Sequence, residues 1–115
     1  MSVLELSERE RTLLVRGLHE WGGPCAMTDD LARAIAFASA DDFYAQRSRL
    51  VAALRAGEPL TTDDWHRVIA AVEIVFISDI VGSGRDWEIT TELSDEETLR
   101  LIRGIQDELR GRRRR

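Results

Sequence analysis

Apolar residues recur along this chain at helical spacing, and each apolar stretch is preceded by polar residues suited to a helix start. A serine or threonine with an acid in the next three residues favours a helix N-terminus, because the hydroxyl and the carboxylate suit the free backbone amides there. Glycine and proline after an apolar stretch favour its end. These signals predict five helices, at about residues 8–21, 29–37, 40–56, 62–81 and 95–110.

The fourth predicted helix is apolar on nearly every side, and a helix without a polar face belongs in a core. The other four each show one apolar stripe. We therefore predict an all-α fold, a compact bundle of five helices in which four amphipathic helices surround the buried helix at about 62–81. Apolar and polar residues alternate through residues 87–93, which predicts a short extended strap over about 83–93, anchored by Trp87 and Ile89.

The composition indicates one folded domain, since the 115 residues are 43% hydrophobic and 32% charged. We assign the domain to residues 1–109 and predict a disordered tail at 110–115, where the sequence is RGRRRR. No apolar run at the N-terminus has signal-peptide length, and the most apolar stretch, 68–81, is short and interrupted, so we expect a cytoplasmic protein that does not enter a membrane. The single Cys25 agrees with a reducing compartment, and arginine without any lysine suggests a GC-rich bacterial source.

The charge of the chain is divided unevenly. Residues 1–109 hold 11 arginines against all 21 acidic residues, a net charge of −10, whereas the tail at 110–115 carries the other arginines. An acidic body attracts basic proteins and repels nucleic acid, while a basic tail does the reverse. We therefore expect a basic protein partner, with nucleic acid as a possible second partner through the tail.

Two carboxylates, Glu73 and Asp79, interrupt the apolar fourth helix. A buried unpaired ion is costly, so each needs an arginine, a set of hydrogen bonds or a raised pKa. Glu73 either makes a structural link in the core or stands in a ligand pocket beneath the GSGRDW segment, which contains Arg85. Asp79 is near enough to the predicted helix end to reach solvent or that turn.

No set of residues of a catalytic or metal-binding type stands out. His19 and Cys25 are six residues apart but lack a cysteine context typical of an enzyme family. His66 follows Asp63 and Asp64, two acids that the dipole of a helix first turn explains. With two histidines and one cysteine at no close ligand spacing, we predict no metal, no cofactor and no enzymatic activity.

Residues 28–56 have the outline of a helix-turn-helix, which provides an alternative function as a nucleic-acid-associated regulator. The first residues of its second helix include Asp41 and Asp42, and acids there disfavour contact with bases and phosphates. The basic residues available to this alternative are Arg47, Arg49, Arg112, Arg113, Arg114 and Arg115.

Three tryptophans stand beside turns or helix starts, where an indole either closes the edge of the core or forms the centre of an interface. With the acidic body and the lack of a catalytic set, they lead us to predict a non-enzymatic protein-interaction module that binds a basic protein or itself, with an inhibitor or immunity-type protein as one such role. A small-molecule-binding domain with a pocket at Glu73 is a further alternative. The candidate binding residues are Glu73, Asp79, Trp87, Trp65, Trp21 and Arg85.

Overall fold

The structure, a computed structural model, describes residues 3–113. Six α-helices make up most of the backbone in this range. A 3₁₀ turn at Gly84–Asp86 leads directly into the fifth helix, and no β-strand occurs in that range. The all-α prediction is confirmed. The helices are α1 (Glu8–Glu20), α2 (Asp29–Ala34), α3 (Ala40–Ala56), α4 (Thr62–Ile77), α5 (Trp87–Thr91) and α6 (Asp95–Leu109).

Five helices, all except α5, start at capped positions that the sequence predicts. At the start of α1, the Ser7 hydroxyl accepts the Glu10 backbone N–H at 3.1 Å, and the Glu10 carboxylate accepts the Ser7 backbone N–H at 2.8 Å. Hydroxyl oxygens cap four further helices, and each such cap stabilises a helix by about 1 kcal/mol. The four residues are Thr28, Ser39, Thr61 and Ser94.

Helices α1 and α4 form the centre of the bundle. α1 packs against α3, α4 and α6. Gly17 allows α1 and α4 to approach closely, because a Cβ at this position would lie 2.8 Å from two side-chain carbons of Val72. Val68, Val72 and Val75 of α4 are fully buried, which confirms that the apolar fourth helix lies in the core.

Helices α4 and α6 run antiparallel. Glu73 in α4 contacts Gln106 near the end of α6, while Thr62 and His66 at the start of α4 share a groove with Arg110, just beyond α6. The C-terminus of α4 and the N-terminus of α6 therefore lie at the same end of the bundle.

The predicted extended strap over 83–93 is wrong, because this segment forms the 3₁₀ turn and α5. Trp87 is fully buried and anchors the segment as expected, but Ile89 is 79% exposed and does not anchor it. The predicted end of the fourth helix at 81 is also too late. Ser78 leaves the helical conformation with ψ 116°, so α4 ends at Ile77.

Candidate functional site

The chain turns sharply at the C-terminus of α4. The Ser78 hydroxyl oxygen accepts the backbone N–H groups of Ile80 and Val81 at 3.2 and 3.0 Å. A serine side chain that bonds the following backbone in this way stabilises a turn. The turn carries Ile80 and Val81 away from the core, so that their side chains are 93% and 45% exposed.

Two glycines then bring the chain back against α4. The Ser83 backbone N–H donates to the Val75 carbonyl at 2.8 Å, beyond the end of the helix ladder. A Cβ at Gly82 would lie 2.6 Å from the same carbonyl oxygen, and a Cβ at Gly84, where φ is 46°, would overlap Asp79. The GSG segment is therefore a closely packed turn that requires glycine rather than a flexible hinge.

Trp87 attaches α5 to the rest of the bundle. Its indole Nε1–H donates to Thr98 Oγ1 at 2.8 Å, and its ring packs edge-to-face on Phe76 with centroids 5.4 Å apart. Residues two positions apart on a helix point to nearly opposite sides. Burial of Trp87 therefore turns Ile89 toward solvent.

Five large apolar side chains are exposed on the segments that run from the end of α4 to the first half of α6, and we call them the apolar end. They belong to the last residue of α4, the turn that follows, α5 and the N-terminal part of α6. Among residues 3–113 one other large apolar side chain is as exposed, Val3 at 53%, and it lies near the start of α4 at the opposite end. The five are Ile77 (70% exposed), Ile80 (93%), Val81 (45%), Ile89 (79%) and Leu99 (48%).

The same segments carry a concentration of negative charge. Residues 78–99 contain seven acidic residues and one arginine, Arg85. Arg85 is itself paired with Asp79 at 3.7 Å, and its backbone N–H donates to the Asp79 carboxylate at 2.8 Å. We call the exposed acids the acidic rim; they are Asp79, Asp86, Glu88, Glu92, Asp95 and Glu96.

Glu73 lies half-buried in the wall of an open groove of about 650 Å³ between α4 and α6. Its carboxylate accepts the Gln106 side-chain N–H at 2.5 Å, and the Gln106 amide oxygen accepts from Arg103 at 2.9 Å. Glu73 is therefore not buried in the core as predicted. Its carboxylate lies at a polar groove, where Gln106 provides its hydrogen bond.

The three tryptophans are core residues. Trp21 and Trp87 are fully buried and Trp65 is 3% exposed. The Trp21 indole N–H donates to the Ala71 carbonyl at 3.2 Å, which fastens α1 to α4. The interpretation of these residues as the centre of an interface is wrong, because a buried indole presents no surface to a partner.

The two α3 arginines considered for nucleic-acid binding are engaged within the protein. Arg47 donates to the Trp21 carbonyl, and its guanidinium lies 5.2 Å from the centre of the Tyr44 ring. Arg49 forms a forked pair with Asp64 at 2.9 and 3.2 Å. This pair holds the pKa of Asp64 below its ordinary value.

The arginines near the C-terminus are placed differently from one another. Arg112 is exposed, whereas Arg113 packs against the body and pairs with Glu10 at 2.5 Å and Glu108 at 3.8 Å. Arg113 is thus part of the folded body. Arg114 and Arg115 lie outside the described residues.

One buried carboxylate, Glu20, was not singled out by the sequence pattern. It is 6% exposed, and one of its oxygens accepts the hydroxyl protons of Ser83, at 2.7 Å, and Thr90. The Ser83 hydroxyl also lies 3.5 Å from the Cys25 thiol. Glu20 thereby joins the end of α1 to the turn after α4 and to α5, a role that depends on contacts between distant segments.

Comparisons with known proteins provide no family for this chain: protein-family models, curated proteins and solved structures all gave no match. Within residues 3–113, no group of three or more His, Cys, Asp or Glu side chains is arranged to hold a metal ion. No helix in the same part of the chain combines the length and the hydropathy needed to cross a bilayer. Function is therefore inferred from the surface chemistry.

Proposed function

We propose that this chain is a non-enzymatic protein-interaction module that docks a basic partner protein on its apolar end. The observation that carries the proposal is the exposure of Ile80 and Ile89, at 93% and 79%. Both side chains stand on backbone that is held firmly, Ile80 by the Ser78 turn and Ile89 by the buried Trp87. Exposed apolar side chains grouped in one region are typical of an interaction surface.

Covering the apolar end supplies the driving force for docking. Burial of apolar surface contributes about 25 cal/mol per Å², so one well-covered isoleucine adds roughly 1.5–3 kcal/mol. The supporting turn is already ordered by its hydrogen bonds and its two close-packed glycines. A partner therefore binds with little loss of backbone freedom, which favours affinity.

The acidic rim selects the charge of the partner. Opposite charge around an apolar centre speeds association and disfavours partners of like charge. A second copy docked face to face would bring two acidic rims together, so a basic protein is favoured over self-association. An inhibitor or immunity-type protein that covers a basic target has this form, and the composition of the chain adds a bacterial cytoplasm as the proposed setting.

The test removes the apolar centre without changing charge. The double variant Ile80→Asn/Ile89→Asn is compared with the wild type and with Val3→Asn, a matched control at the opposite end of the bundle. Circular dichroism first verifies that all three are folded, as the high exposure of these positions predicts. Each protein is then used for capture from a lysate of the source cells, and any captured protein is purified and titrated by calorimetry.

The proposal predicts a basic partner whose Kd rises at least about 150-fold in the double variant, because about 1.5 kcal/mol or more of apolar burial is lost at each of the two isoleucines. The control should change the Kd less than about twofold. Added salt should weaken binding through the acidic rim. A partner that binds the double variant as tightly as the wild type contradicts the proposal, as does self-association in place of any partner.

A further inference from the structure

A groove of about 530 Å³ lies between α1 and the end of α3, and its lining is basic, in contrast to the acidic rim. One face of α1 supplies Arg11, Arg16 and His19, and the last turn of α3 supplies Arg55. We call these four residues the arginine groove. It is cationic although the body that contains it carries a net charge of −10.

The arrangement follows from the two faces of α1. Leu13, Leu14 and Leu18 are buried on its inner face. The residues of α1 that line the groove recur every three or four positions, which places them on one side of the helix. Thr12 and Val15 lie between the charged residues. The charged residues of α1 therefore lie on the same side of the helix, because its other side faces the core.

The arginines of this groove lack the acidic partners that other arginines of the chain have. Among residues 3–113, neither Arg11 nor Arg55 forms an ion pair or a side-chain hydrogen bond, and Arg16 donates from one nitrogen to the Thr91 carbonyl at 2.5 Å. One carboxylate, Glu8, also lines the groove, but it joins no ion pair in this range. The arginines that do pair are Arg9, Arg33, Arg49, Arg67, Arg85 and Arg113.

Partial burial and nearby positive charge both act on His19. Its pKa lies below the ordinary value of 6.5, first because of desolvation and then because the charges of Arg47 and Arg55 disfavour a further positive charge. Three arginines and one carboxylate leave an excess of positive charge at the groove, and a bound anion would relieve the repulsion among the arginines.

We propose that the arginine groove binds a small molecule bearing a phosphate group. Guanidinium forks match phosphate oxygens, and several around one group give charge-assisted hydrogen bonds. The volume suits a small molecule. Within residues 3–113 the groove is lined by no Phe, Tyr or Trp ring on which a base could stack broadly, and its positive charges are guanidinium groups, so the oxyanion is the group recognised. A nucleic acid would extend beyond the groove over the acidic body, which disfavours it.

The test is an NMR titration of the full chain, labelled with ¹⁵N, with inorganic pyrophosphate as the probe. A short single-stranded DNA and sodium chloride are titrated in parallel, to separate a small phosphate compound from a polyanion and from ionic strength. The variants Arg11→Gln and Arg55→Gln each remove one unpaired groove cation. Arg100→Gln is the matched control, because Arg100 is exposed like Arg55 but lies on α6.

The proposal predicts saturable shifts of the amides of α1 and of the Arg55 region with pyrophosphate. Either groove variant should raise the Kd at least about fivefold, and the control less than about twofold. No saturation up to about 10 mM, shifts located elsewhere, or equal effects of groove and control variants would overturn it. Tighter binding of the DNA, lost in Arg55→Gln, would overturn it in favour of nucleic acid. The apolar end is not involved, so this result is independent of the proposed docking.

Discussion

Asp64 is a buried carboxylate that makes several contacts at the start of α4. Thr61 caps its backbone N–H at 3.0 Å, Arg49 forms the fork described above, and Arg67 donates to it at 3.3 Å. The hydrogen bond from Arg49 is the main cause of the lowered pKa of Asp64. The fold therefore stabilises the ionised form of this side chain.

A pH-dependent stability follows from this pKa. Because the folded-state pKa of Asp64 lies below the ordinary value of 3.8, its contribution is present above pH 3.8 and is lost as the pH falls through the folded-state pKa. Asp64→Asn should lower the free energy of unfolding by about 1–2 kcal/mol near neutral pH. It should also flatten the decline of stability in acid. Urea denaturation at neutral pH and at about pH 3 measures both the loss of stability and its dependence on pH.

The exposed neighbour Asp63 provides the control for this prediction. Asp63→Asn removes the same charge from the same helix turn but leaves the fork to Arg49 intact. Losses of similar size in the two variants would show that the helix dipole, and not the fork, stabilises this turn.

At the residue scale, sequence patterns identify unusual residues better than their partners. Glu73 was correctly recognised as a carboxylate that needs a hydrogen-bond partner, but that partner, Gln106, is 33 residues away in another helix. Glu20 was missed because it stands at a helix end, where a charged residue is ordinarily solvated. Its burial depends on Ser83 and Thr90, which the fold brings to it.

At the scale of elements, helix starts were predicted closely and other segments less well. Caps such as Ser7 and Ser94 act on the backbone within three residues, so the sequence contains the whole interaction. The end of α4 was placed too late because Ile80 and Val81 continue its apolar pattern. A five-residue helix such as α5 carries too few residues for a helical period, and its position depends on the Trp87 contact with Thr98.

The crossing of α1 and α4 gives a prediction at this scale. Gly17→Ala should destabilise the protein by about 1–3 kcal/mol, because the new methyl group would overlap the Val72 side chain. Val72→Ala alone should destabilise it by leaving a cavity. In the double variant the new methyl group occupies part of that space, so the loss should be smaller than the sum of the two by about 1 kcal/mol.

Denaturation of the wild type, the two single variants and the double variant measures this coupling. Losses that simply add would contradict the close approach of the two helices. The cycle is informative because the gain in helix propensity from Gly17→Ala is the same with either residue at position 72 and cancels in the coupling energy, and no variant changes charge.

Across the whole molecule, the acidic rim and the unpaired arginines lie on different surfaces: the acids of the rim are concentrated in one segment of the sequence, 78–99, whereas the fold brings the arginines together from two helices. The acidic rim gathers beside the apolar end, whereas unpaired arginines gather between α1 and α3. Composition predicted an acidic body but not this separation, because Arg55 and the α1 cations come from different elements. The exposure of Ile80 and Ile89 could not be predicted from the sequence, because apolar residues are expected to be buried until the packing of the helices is known.

Contact between the apolar end and another protein can be detected by site-specific photo-crosslinking in the source cells. A photoreactive benzoylphenylalanine replaces Ile80 in one sample and Val3 in a second. We expect a cross-link to one basic protein from position 80, none to that protein from position 3, and loss of the cross-link when Ile89→Asn is added. Equal cross-linking from both positions, or cross-links from position 80 to a second copy of this chain alone, would contradict the proposed docking.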